Sequence, residues 1–351
     1  MKLSAREVKL EGFVAVRGPA VVSVVQGVVE VMGFLLKEGT GFVIPRARVA
    51  ILRGEGATIE ITGVSNGSVV ELPQAEYEEI YKLAEEASRK RTMIVGPVDV
   101  GKSTLASIIA GRALNSGLRA ELMTIDVGQN EIYCPGFSAL ASVNPPAIPG
   151  NPDSFTVVSS CFVGSFSPSF MLERYMKCAQ ELSRLASNTL VVDTDGWVEN
   201  KGLEVKAKVA LDIGIKLVIA LGLDNEKVKT FLDAGLDTIV FKPLARSIKT
   251  SEERRLHRER LIAQKLAGAR QLSVPLDLVR FLGDKPKLRP GFGVIASAYA
   301  RGQAHPGVIV RVDEKKSRAI VLTKATDILE LVEVGVSEID LSWLQEISNI
   351  S

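Results

Sequence analysis

Histidine, cysteine and long apolar runs are scarce in this 351-residue chain, and each scarcity excludes a class of protein. Two histidines, His257 and His305, are too few for a histidine-rich metal centre. Cys134, Cys161 and Cys178 share no spacing typical of a metal site, and an odd count argues against a disulfide framework. The first residues lack the apolar stretch of a signal peptide, and no apolar run is long enough to span a bilayer. We therefore expect an intracellular, cytoplasmic protein with no membrane partner.

Charge of one sign is also lacking, because the formal net charge is only +2. The overall field of the protein therefore implies no polyanionic partner. If the chain binds nucleic acid, a local basic patch must do so.

The hydrophobic pattern changes twice along the chain. Residues 1–72 contain β-branched segments punctuated by glycine, which predicts a β-rich amino-terminal domain. Residues 73–273 alternate apolar strands with amphipathic helices, which predicts an α/β domain with a mainly parallel sheet. A long loop is expected between its strands RAELMTID and FTVVSSCF. Residues 274–351 again predict strands, and hence a β-rich carboxy-terminal domain.

One segment, GPVDVGKST, fits the phosphate-binding pattern G-x-x-x-x-G-K-[ST]. It follows an apolar strand and precedes a helix, whose amino terminus attracts anions. Glycines let the backbone approach the phosphates closely. The segment predicts binding of ATP and Mg²⁺ by Gly96, Pro97, Val98, Asp99, Val100, Gly101, Lys102, Ser103 and Thr104. We expect Lys102 to bridge the β- and γ-phosphates and Ser103 to bind the metal.

A second acidic strand end follows at Asp126, in the segment MTIDVGQNEIYCPG. In P-loop proteins a carboxylate at the end of a neighbouring strand reaches the metal or the attacking nucleophile. Asp126 is therefore a candidate for catalysis and for metal binding; the alternative is an aspartate that caps a turn. Gln129 is a candidate to orient a hydroxyl group or a water molecule.

A guanine-specific site is disfavoured. A GTPase carries an N/T-K-x-D motif, and the nearest segment, TKATD at residues 323–327, has the wrong spacing and lies outside the α/β segment. The P-loop by itself does not identify the acceptor of the phosphate.

Five motifs occur in order along the chain: GPVDVGKST, IDVGQNEIYCPG, FVGSFSP, TDGW and ARSIKTSEERRLHRERLIAQKLAG. Together they resemble the polynucleotide 5′-hydroxyl kinases of the cleavage-factor and pre-rRNA-processing type, a family with archaeal members. The resemblance includes Asp99, which most P-loops lack, and is specific over residues 96–268. The three-domain plan also matches that family in outline. Asn130 and Glu131 depart from its pattern.

The segment TDGW resembles the clasp of this family. By that resemblance Thr194 and Trp197 are substrate-binding candidates, together with Gln129. From the residues alone, Trp197 either stacks on a base or packs its loop against the core.

The arginine-rich segment resembles the lid helix of the family. Arg254 and Arg258 are four residues apart and thus share one helix face, and guanidinium groups suit phosphate oxygens. With Lys102 and Asp126 they are the catalytic candidates, and Arg246 is a further candidate for contact with the nucleotide. The alternative is a solvated helix face on which arginines pair with glutamates.

The resemblance implies that the chain transfers the γ-phosphate of ATP to the 5′-hydroxyl end of RNA, or of DNA, and has RNA-processing protein partners. Two alternatives stay open: an ATP-bound, catalytically silent scaffold subunit, and a hydrolase or small-molecule kinase. Asp193 and Asp195 rank below Asp126 as the carboxylate of the site.

Overall fold

The computed structural model describes residues 5–63, 69–187, 189–199, 201–244, 249–325 and 329–342. The chain divides into two compact units. The first unit comprises residues 1–123, 140–158 and 185–247, and the second comprises residues 124–139, 159–184 and 248–351. The three-domain division, with boundaries after residues 72 and 273, stays a prediction.

The amino-terminal strands of the first unit form an antiparallel sheet. They are β1 (Ala5–Arg17), β2 (Ala20–Gln26), β3 (Val28–Val31), β4 (Phe34–Lys37), β5 (Gly41–Ile44), β6 (Val49–Thr62) and β7 (Val69–Glu71). The order is β4-β3-β6-β1-β7, with β2 beside β6 and β5 beside β2. Along β6, Ile59 and Ile61 are fully buried, whereas Thr58 and Glu60 are partly exposed. This period of two is the pattern of a sheet with one face against a core.

A second sheet contains the strand that precedes the P-loop. Its members are β8 (Thr92–Val95), β9 (Glu121–Thr124), β10 (Phe137–Val143), β11 (Phe155–Phe162), β12 (Leu190–Asp193), β13 (Leu217–Leu221) and β14 (Thr238–Phe241). They lie in the order β11-β10-β9-β12-β8-β13-β14. The pairs β8–β12, β8–β13 and β13–β14 are parallel. Every residue of β8, β12 and β13 is buried, as their continuous apolar sequences require.

Five α-helices accompany these strands in the described residues. They are α1 (Gln74–Ala87), α2 (Lys102–Asn115), α3 (Leu172–Ser183), α4 (Gly202–Asp212) and α5 (Asn225–Asp233). The alternation of strands and helices confirms the α/β class. The prediction of a long loop before β11 is wrong, because the strand β10 lies within that segment. That strand, FSALASV, contains mainly serine, alanine and leucine, which have weak strand preference.

The third sheet belongs to the second unit. Its strands are β15 (Arg270–Pro275), β16 (Val279–Phe281), β17 (Phe292–Ala300), β18 (Gln303–Asp313), β19 (Arg318–Thr323) and β20 (Leu331–Asp340). They lie in the order β15-β19-β18-β17-β20-β16. Neighbours are antiparallel except for the parallel pair β16–β20.

The arginine-rich segment forms α6 (Ser251–Leu266) in the second unit. A reciprocal capping box between Thr250 and Glu253 begins the helix. Half of the residues of α6 are charged, but Ile262 and Leu266 are buried in an apolar cluster of the same unit. Burial of these residues fixes one face of the helix, so its charged side chains lie on the remaining faces.

A disulfide joins Cys161 in β11 to Cys178 in α3. The odd cysteine count predicts no disulfide framework, and that prediction is wrong for this pair. The fold brings the two Cα atoms to 5.4 Å, a proximity that their separation of 17 residues does not reveal. Cys134 remains a thiol; complete burial raises its pKa to about 12, so it stays protonated and unreactive near neutral pH.

Two negative findings concern the described part of the chain. None of its helices has both the length and the apolar character needed to cross a bilayer. Within the same residues, no three side chains of histidine, cysteine, aspartate or glutamate form a group suited to a metal ion.

Candidate active site

The P-loop of the first unit connects the end of β8 to the start of α2. Asp99 and Gly101 have left-handed backbone, with φ of 61° and 96°. A Cβ atom at Gly101 would lie 2.8 Å from Cβ of Leu244, and one at Gly96 would lie 2.2 Å from the carbonyl oxygen of Leu221. Only glycine fits these two positions, which allows the backbone to turn tightly around a ligand.

The amino terminus of α2 presents the positive end of its helix dipole. In the described part of the chain no side chain caps this terminus, and the first turn contains no acidic residue. The first N–H groups of a helix have no partners within the helix. Together with the dipole they favour a phosphate group at this position.

Lys102 is buried at the start of α2. Its Nζ donates to the carbonyl oxygen of Gly96 at 3.1 Å and to that of Pro97 at 2.6 Å. The ammonium group therefore lies within the curve of the P-loop, where the predicted phosphates would sit.

Ser103, the predicted metal ligand, contacts a carboxylate distant in sequence. Its Oγ donates to Oδ2 of Asp193 at 2.6 Å, and Asp193 is only 7% exposed. Asp193 ends β12 and lies opposite Ile94 in the parallel pair β8–β12. Parallel strands end at the same edge of a sheet, so this register brings the carboxylate to the P-loop. Asp193, which ranks below Asp126 on the sequence alone, is thus the carboxylate that Ser103 contacts.

The donor set formed by Ser103 and Asp193 suits magnesium. A hydroxyl and a carboxylate are hard oxygen ligands, which Mg²⁺ prefers. In P-loop enzymes the ion is held by the serine or threonine of the P-loop and by an aspartate of a nearby strand. These residues therefore fit the predicted metal.

The predicted clasp, residues 194–197, follows β12 and packs against the P-loop. A Cβ atom at Gly196 would lie 2.3 Å from Cγ1 of Val98, so the two loops are in direct contact there. Thr194 is fully buried, and its hydroxyl donates to the carbonyl oxygen of Ile94 in β8 at 2.9 Å. The threonine thus anchors the clasp to the strand that carries the P-loop; its role in substrate binding stays a prediction.

Trp197 is half-buried against the start of α4. A Cβ atom at Gly202 would lie 2.8 Å from Cγ of its indole, which shows how closely the helix approaches. Nζ of Lys206 lies 5.9 Å from the centre of the ring system. The indole is therefore packed on one side and keeps part of its surface exposed. Packing and base stacking do not exclude each other in this geometry, and the stacking role stays a prediction.

Lys206, which belongs to none of the sequence motifs, is fully buried in α4. Its Nζ donates to Oδ1 of Asp195 at 2.7 Å, and Asp195 is itself buried. The signal in the sequence is weak: in GLEVKAKVALD the lysine occupies the same helix face as Leu203 and Ala210, which are apolar and buried.

Asp126 lies in the second unit and is half-buried. Its Oδ1 accepts from the backbone N–H of Gly128 at 3.0 Å and from that of Gln129 at 2.9 Å. These bonds hold the carboxylate in one orientation. They are the turn-capping contacts that the sequence analysis weighed as an alternative. The catalytic and metal-binding roles of Asp126 stay predictions.

Gln129 links the Asp126 loop to α6. Its Nε2 donates to the carbonyl oxygen of Arg254 at 3.2 Å and to that of Gly128 at 3.1 Å. Nearby, Glu131 lies 3.2 Å from Nε2 of His257, also in α6. The side chain of Gln129 therefore positions a helix in this structure, and its predicted contact with substrate stays a prediction.

Asn130, which departs from the family pattern, is fully buried and cross-links the loop by hydrogen bonds. Its Nδ2 donates to the carbonyl oxygen of Phe137 at 2.8 Å, and its Oδ1 accepts from the N–H of Tyr133 at 2.8 Å. Asn130 therefore stabilises the loop and leaves the hydrogen bonds of Asp126 unchanged.

The arginines of α6 occupy two different environments. Arg255 forms ion pairs within its own helix, 2.8 Å from Glu259, as expected of a solvated face. Arg258 instead lies over Phe166, with its Cζ 4.8 Å from the ring centroid. Burial lowers the pKa of Arg258, while Glu259 and Asp126 act to raise it. Arg258 is therefore within the electrostatic field of Asp126, inside the second unit.

Arg254 contributes its backbone carbonyl to Gln129, and its guanidinium donates to the carbonyl oxygen of Lys249. Its catalytic role, like that of Arg258, stays a prediction. Arg246 lies outside the described residues.

A cavity of 680 Å³ lies elsewhere in the first unit, among residues of α1 with Arg53 and Arg112. Two of its basic residues have acidic partners: Arg112 pairs with Glu30 at 3.1 Å, and Lys90 pairs with Glu86 at 2.9 Å. It contains no residue of the P-loop, and we assign it no ligand.

Residues 96–267 match a protein-family model described as the P-loop of the mRNA cleavage and polyadenylation factor CLP1. Residues 96–267, just under half of the chain, are therefore similar to the CLP1 P-loop family. The finding confirms the resemblance carried by the five motifs.

Curated relatives of this chain come from eukaryotes and archaea. It is 26% identical over 236 residues to a CLP1 homologue of Arabidopsis thaliana, covering 59% of this chain and 53% of that protein. It is 30% identical over 197 residues to a polyribonucleotide 5′-hydroxyl-kinase of Pyrococcus horikoshii, covering 54% of each. It is 25% identical over 258 residues to the polyribonucleotide 5′-hydroxyl-kinase Clp1 of Gallus gallus, covering 67% of this chain and 60% of that protein. The chain thus spans between half and three fifths of the length of these relatives.

A solved structure shares the fold. The Clp1p chain in a complex with a Pcf11p fragment superimposes with a TM-score of 0.73, covering 96% of this chain and 98% of that one. The sequence identity is 14%, so the likeness concerns the fold alone.

Proposed function

We propose that this chain is an ATP-dependent polynucleotide 5′-hydroxyl kinase, which transfers the γ-phosphate of ATP to the 5′-hydroxyl of RNA. The observation that carries the proposal is the contact of Ser103 with Asp193 beside Lys102, in a segment similar to the CLP1 P-loop family. Relatives named as polyribonucleotide 5′-hydroxyl-kinases support the reaction type.

The donor half of the proposed site lies in the first unit. The P-loop amides and the amino terminus of α2 hold the triphosphate, and Lys102 contacts the β- and γ-phosphates. Ser103 and Asp193 would hold Mg²⁺, and Asp126 is a further candidate ligand. When bound, the ion neutralises charge that develops on the transferring phosphate.

Asp126 is the proposed general base. It accepts the proton of the 5′-hydroxyl as that oxygen attacks the γ-phosphorus, and the bond from this phosphorus to the bridging oxygen of ADP breaks. The two N–H groups bonded to Asp126 keep its carboxylate oriented for this step. Arg254 and Arg258 stabilise the charge on the equatorial phosphate oxygens.

The acceptor strand is held by Trp197, Thr194 and Gln129 in this proposal. The exposed part of the indole stacks on the terminal base, a contact worth about 1–3 kcal/mol that tolerates any base. Thr194 acts by anchoring the clasp, and Gln129 acts by fixing α6 beside Asp126.

We also propose the larger organisation that the sequence predicts. A P-loop domain with a mainly parallel sheet, residues 73–273, lies between β-rich domains at residues 1–72 and 274–351. The Clp1p structure contains a protein partner, Pcf11p, and by analogy this chain has a protein partner in RNA processing.

The direct test is phosphate transfer from γ-labelled ATP to an oligonucleotide with a 5′-hydroxyl end, in RNA and DNA arms. We expect labelled RNA and free ADP, and no label on a matched oligonucleotide that already carries a 5′-phosphate. Lys102→Ala should abolish transfer, whereas Lys82→Ala, an exposed lysine of α1, should retain it.

Two results would contradict the proposal. Absence of transfer to any oligonucleotide, with ATP retained during purification, would support the silent scaffold subunit. Release of phosphate without labelled oligonucleotide would support a hydrolase.

A further inference from the structure

Lys206 is the most deeply buried charged residue near the candidate site. Its side chain is 1% exposed, in a helix whose surrounding positions are apolar. A lysine in such a position loses its hydration, and burial of a charge is tolerated only when close partners compensate. The hydrogen-bond partners of Lys206 therefore indicate which part of the structure its charge stabilises.

Both hydrogen bonds of Lys206 go to the clasp. Nζ donates to Oδ1 of Asp195 at 2.7 Å and to the backbone carbonyl oxygen of Trp197 at 2.7 Å. The same oxygen of Asp195 accepts from the backbone N–H of Trp197 at 2.8 Å. The ammonium group thus closes a ring of three hydrogen bonds around residues 195–197.

These bonds determine the direction of the Trp197 backbone. Its N–H and its carbonyl are both occupied, and the indole lies 5.9 Å from the ammonium that binds the carbonyl. Rotation of the peptide unit on either side of Trp197 would break one of these bonds, and rotation of the unit that carries the carbonyl would remove one of the two acceptors of the buried ammonium. The clasp therefore has one strongly preferred conformation.

A buried ion pair is weak evidence for stability, because an apolar pair of similar volume is often as stable. Its better-supported use is to select one conformation among several. Here the selected conformation is that of the loop which contacts the P-loop at Val98 through Gly196.

We propose that Lys206 is a positioning residue for the acceptor: through Asp195 and the Trp197 carbonyl, it orients the indole that meets the terminal nucleotide. This inference depends on the proposed kinase function for its substrate. It extends that function to a helix residue outside the motifs.

The test compares Lys206→Met with Lys208→Met, a control on the same helix at an exposed position. A third variant, Asp195→Asn with Lys206→Met, removes both charges, so that no unpaired charge remains buried and folding is preserved. All are made with Trp343→Phe, which leaves Trp197 as the single indole of a chain that has two. The measurements are kcat, KM for a 5′-hydroxyl oligoribonucleotide, KM for ATP, and acrylamide quenching of indole fluorescence.

We expect the double-charge variant to raise KM for the oligonucleotide about tenfold, the size expected when much of a base-stacking contact is lost. KM for ATP should stay unchanged, and Trp197 should become more accessible to acrylamide. Lys208→Met should match the parent in every measurement. If Lys206→Met fails to fold, the double-charge variant alone decides.

The inference is overturned if the folded double-charge variant keeps both its KM for the oligonucleotide and its quenching. It is also overturned if KM rises equally for ATP and the oligonucleotide, which would indicate a general loss of structure. If the parent transfers no phosphate at all, the proposed function fails, and quenching still decides whether Lys206 orients Trp197.

Discussion

The two units hold their candidate residues by different means. In the first unit Lys102, Asp193 and Thr194 are buried and bonded to the P-loop or to strand backbone. In the second unit Asp126 and Arg258 are only half-buried, and they lie beside a charged helix. Groups held by a central sheet are rigid, whereas a helix with two fully buried apolar residues is easier to displace.

The contrast between buried groups in the first unit and half-buried groups beside α6 is the one expected for the proposed phosphoryl transfer. Phosphate binding gains from donors that are oriented before the ligand arrives. Lid elements must open to admit substrate and release product, and they are drawn from the less stable parts of a protein. The burial in the first unit supports the proposed binding role of the P-loop, and the small apolar face of α6 predicts that this helix is the element that moves.

The largest expected effect concerns the arginines of α6. Arg254→Met combined with Arg258→Met should lower kcat about 10³–10⁵-fold, the range found for arginines that stabilise phosphoryl transfer. Arg255→Met should change it less than about threefold, because its ion pairs lie on the solvated face. Steady-state kinetics measure both. Equal losses in the two variants would show that α6 acts by its overall charge and not by one face.

The next effect concerns Asp126. Asp126→Asn should lower kcat about 10²–10⁴-fold, as expected for loss of a general base. Melting temperature should be unchanged, since the amide oxygen can accept the same two N–H groups. Asp126→Ala should lower both quantities, and Asp277→Asn, an exposed control in the same unit, should lower neither. If the Asp126→Asn variant stayed active, Asp126 would not be the general base, and another carboxylate would have that role.

The third effect concerns the disulfide. All three cysteines belong to the second unit, so the bond cross-links that unit alone. A closed loop of this length stabilises a protein by about 3 kcal/mol in the chain-entropy account. A reductant should therefore lower the melting temperature of the parent protein and leave Cys161→Ser/Cys178→Ser unaffected. Thiol titration of the unfolded, unreduced chain should find one thiol, Cys134; a count of three would show that the bond is absent.

The smallest effects compare one anchor from each unit. Thr194→Val removes the buried hydroxyl that donates to the carbonyl of Ile94 and should cost about 0.5–1.5 kcal/mol of global stability. Gln129→Leu should cost about 0.5–1.5 kcal/mol, and the loss should appear as faster hydrogen exchange in α6 alone. Thermal unfolding and hydrogen exchange of the same samples separate a global loss of stability from a local opening of α6. Faster exchange throughout the second unit would mean that α6 does not open by itself.

Much of the fold was readable from local pattern. The apolar strand expected before the P-loop is β8 and the helix expected after it is α2, and the predicted alternation of apolar strands with helices recurs through β12, β13 and their helices, because burial follows directly from side-chain type. β10 was missed because its serines and alanines have no strong preference for strands. The disulfide was missed because pairing depends on where β11 and α3 meet.

The candidate site divides in the same way. The P-loop was recognisable because its glycines, lysine and serine occupy consecutive positions and act through backbone that they form themselves. Arg254 and Arg258 were recognisable as one helix face, but the pairing of Arg255 with glutamates and of Arg258 with Phe166 required the packed helix.

The sequence by itself predicted a phosphate-binding loop and identified the family that residues 96–267 resemble, since both depend on residues in unbroken motifs. Only the tertiary structure decided that Asp193 meets Ser103 and that Lys206 holds the clasp. The contact of Asp193 depends on the register of two parallel strands, and that of Lys206 on how α4 packs beneath the loop. No local pattern encodes either, because each side chain finds its partner only when the sheet has formed and the helix has docked.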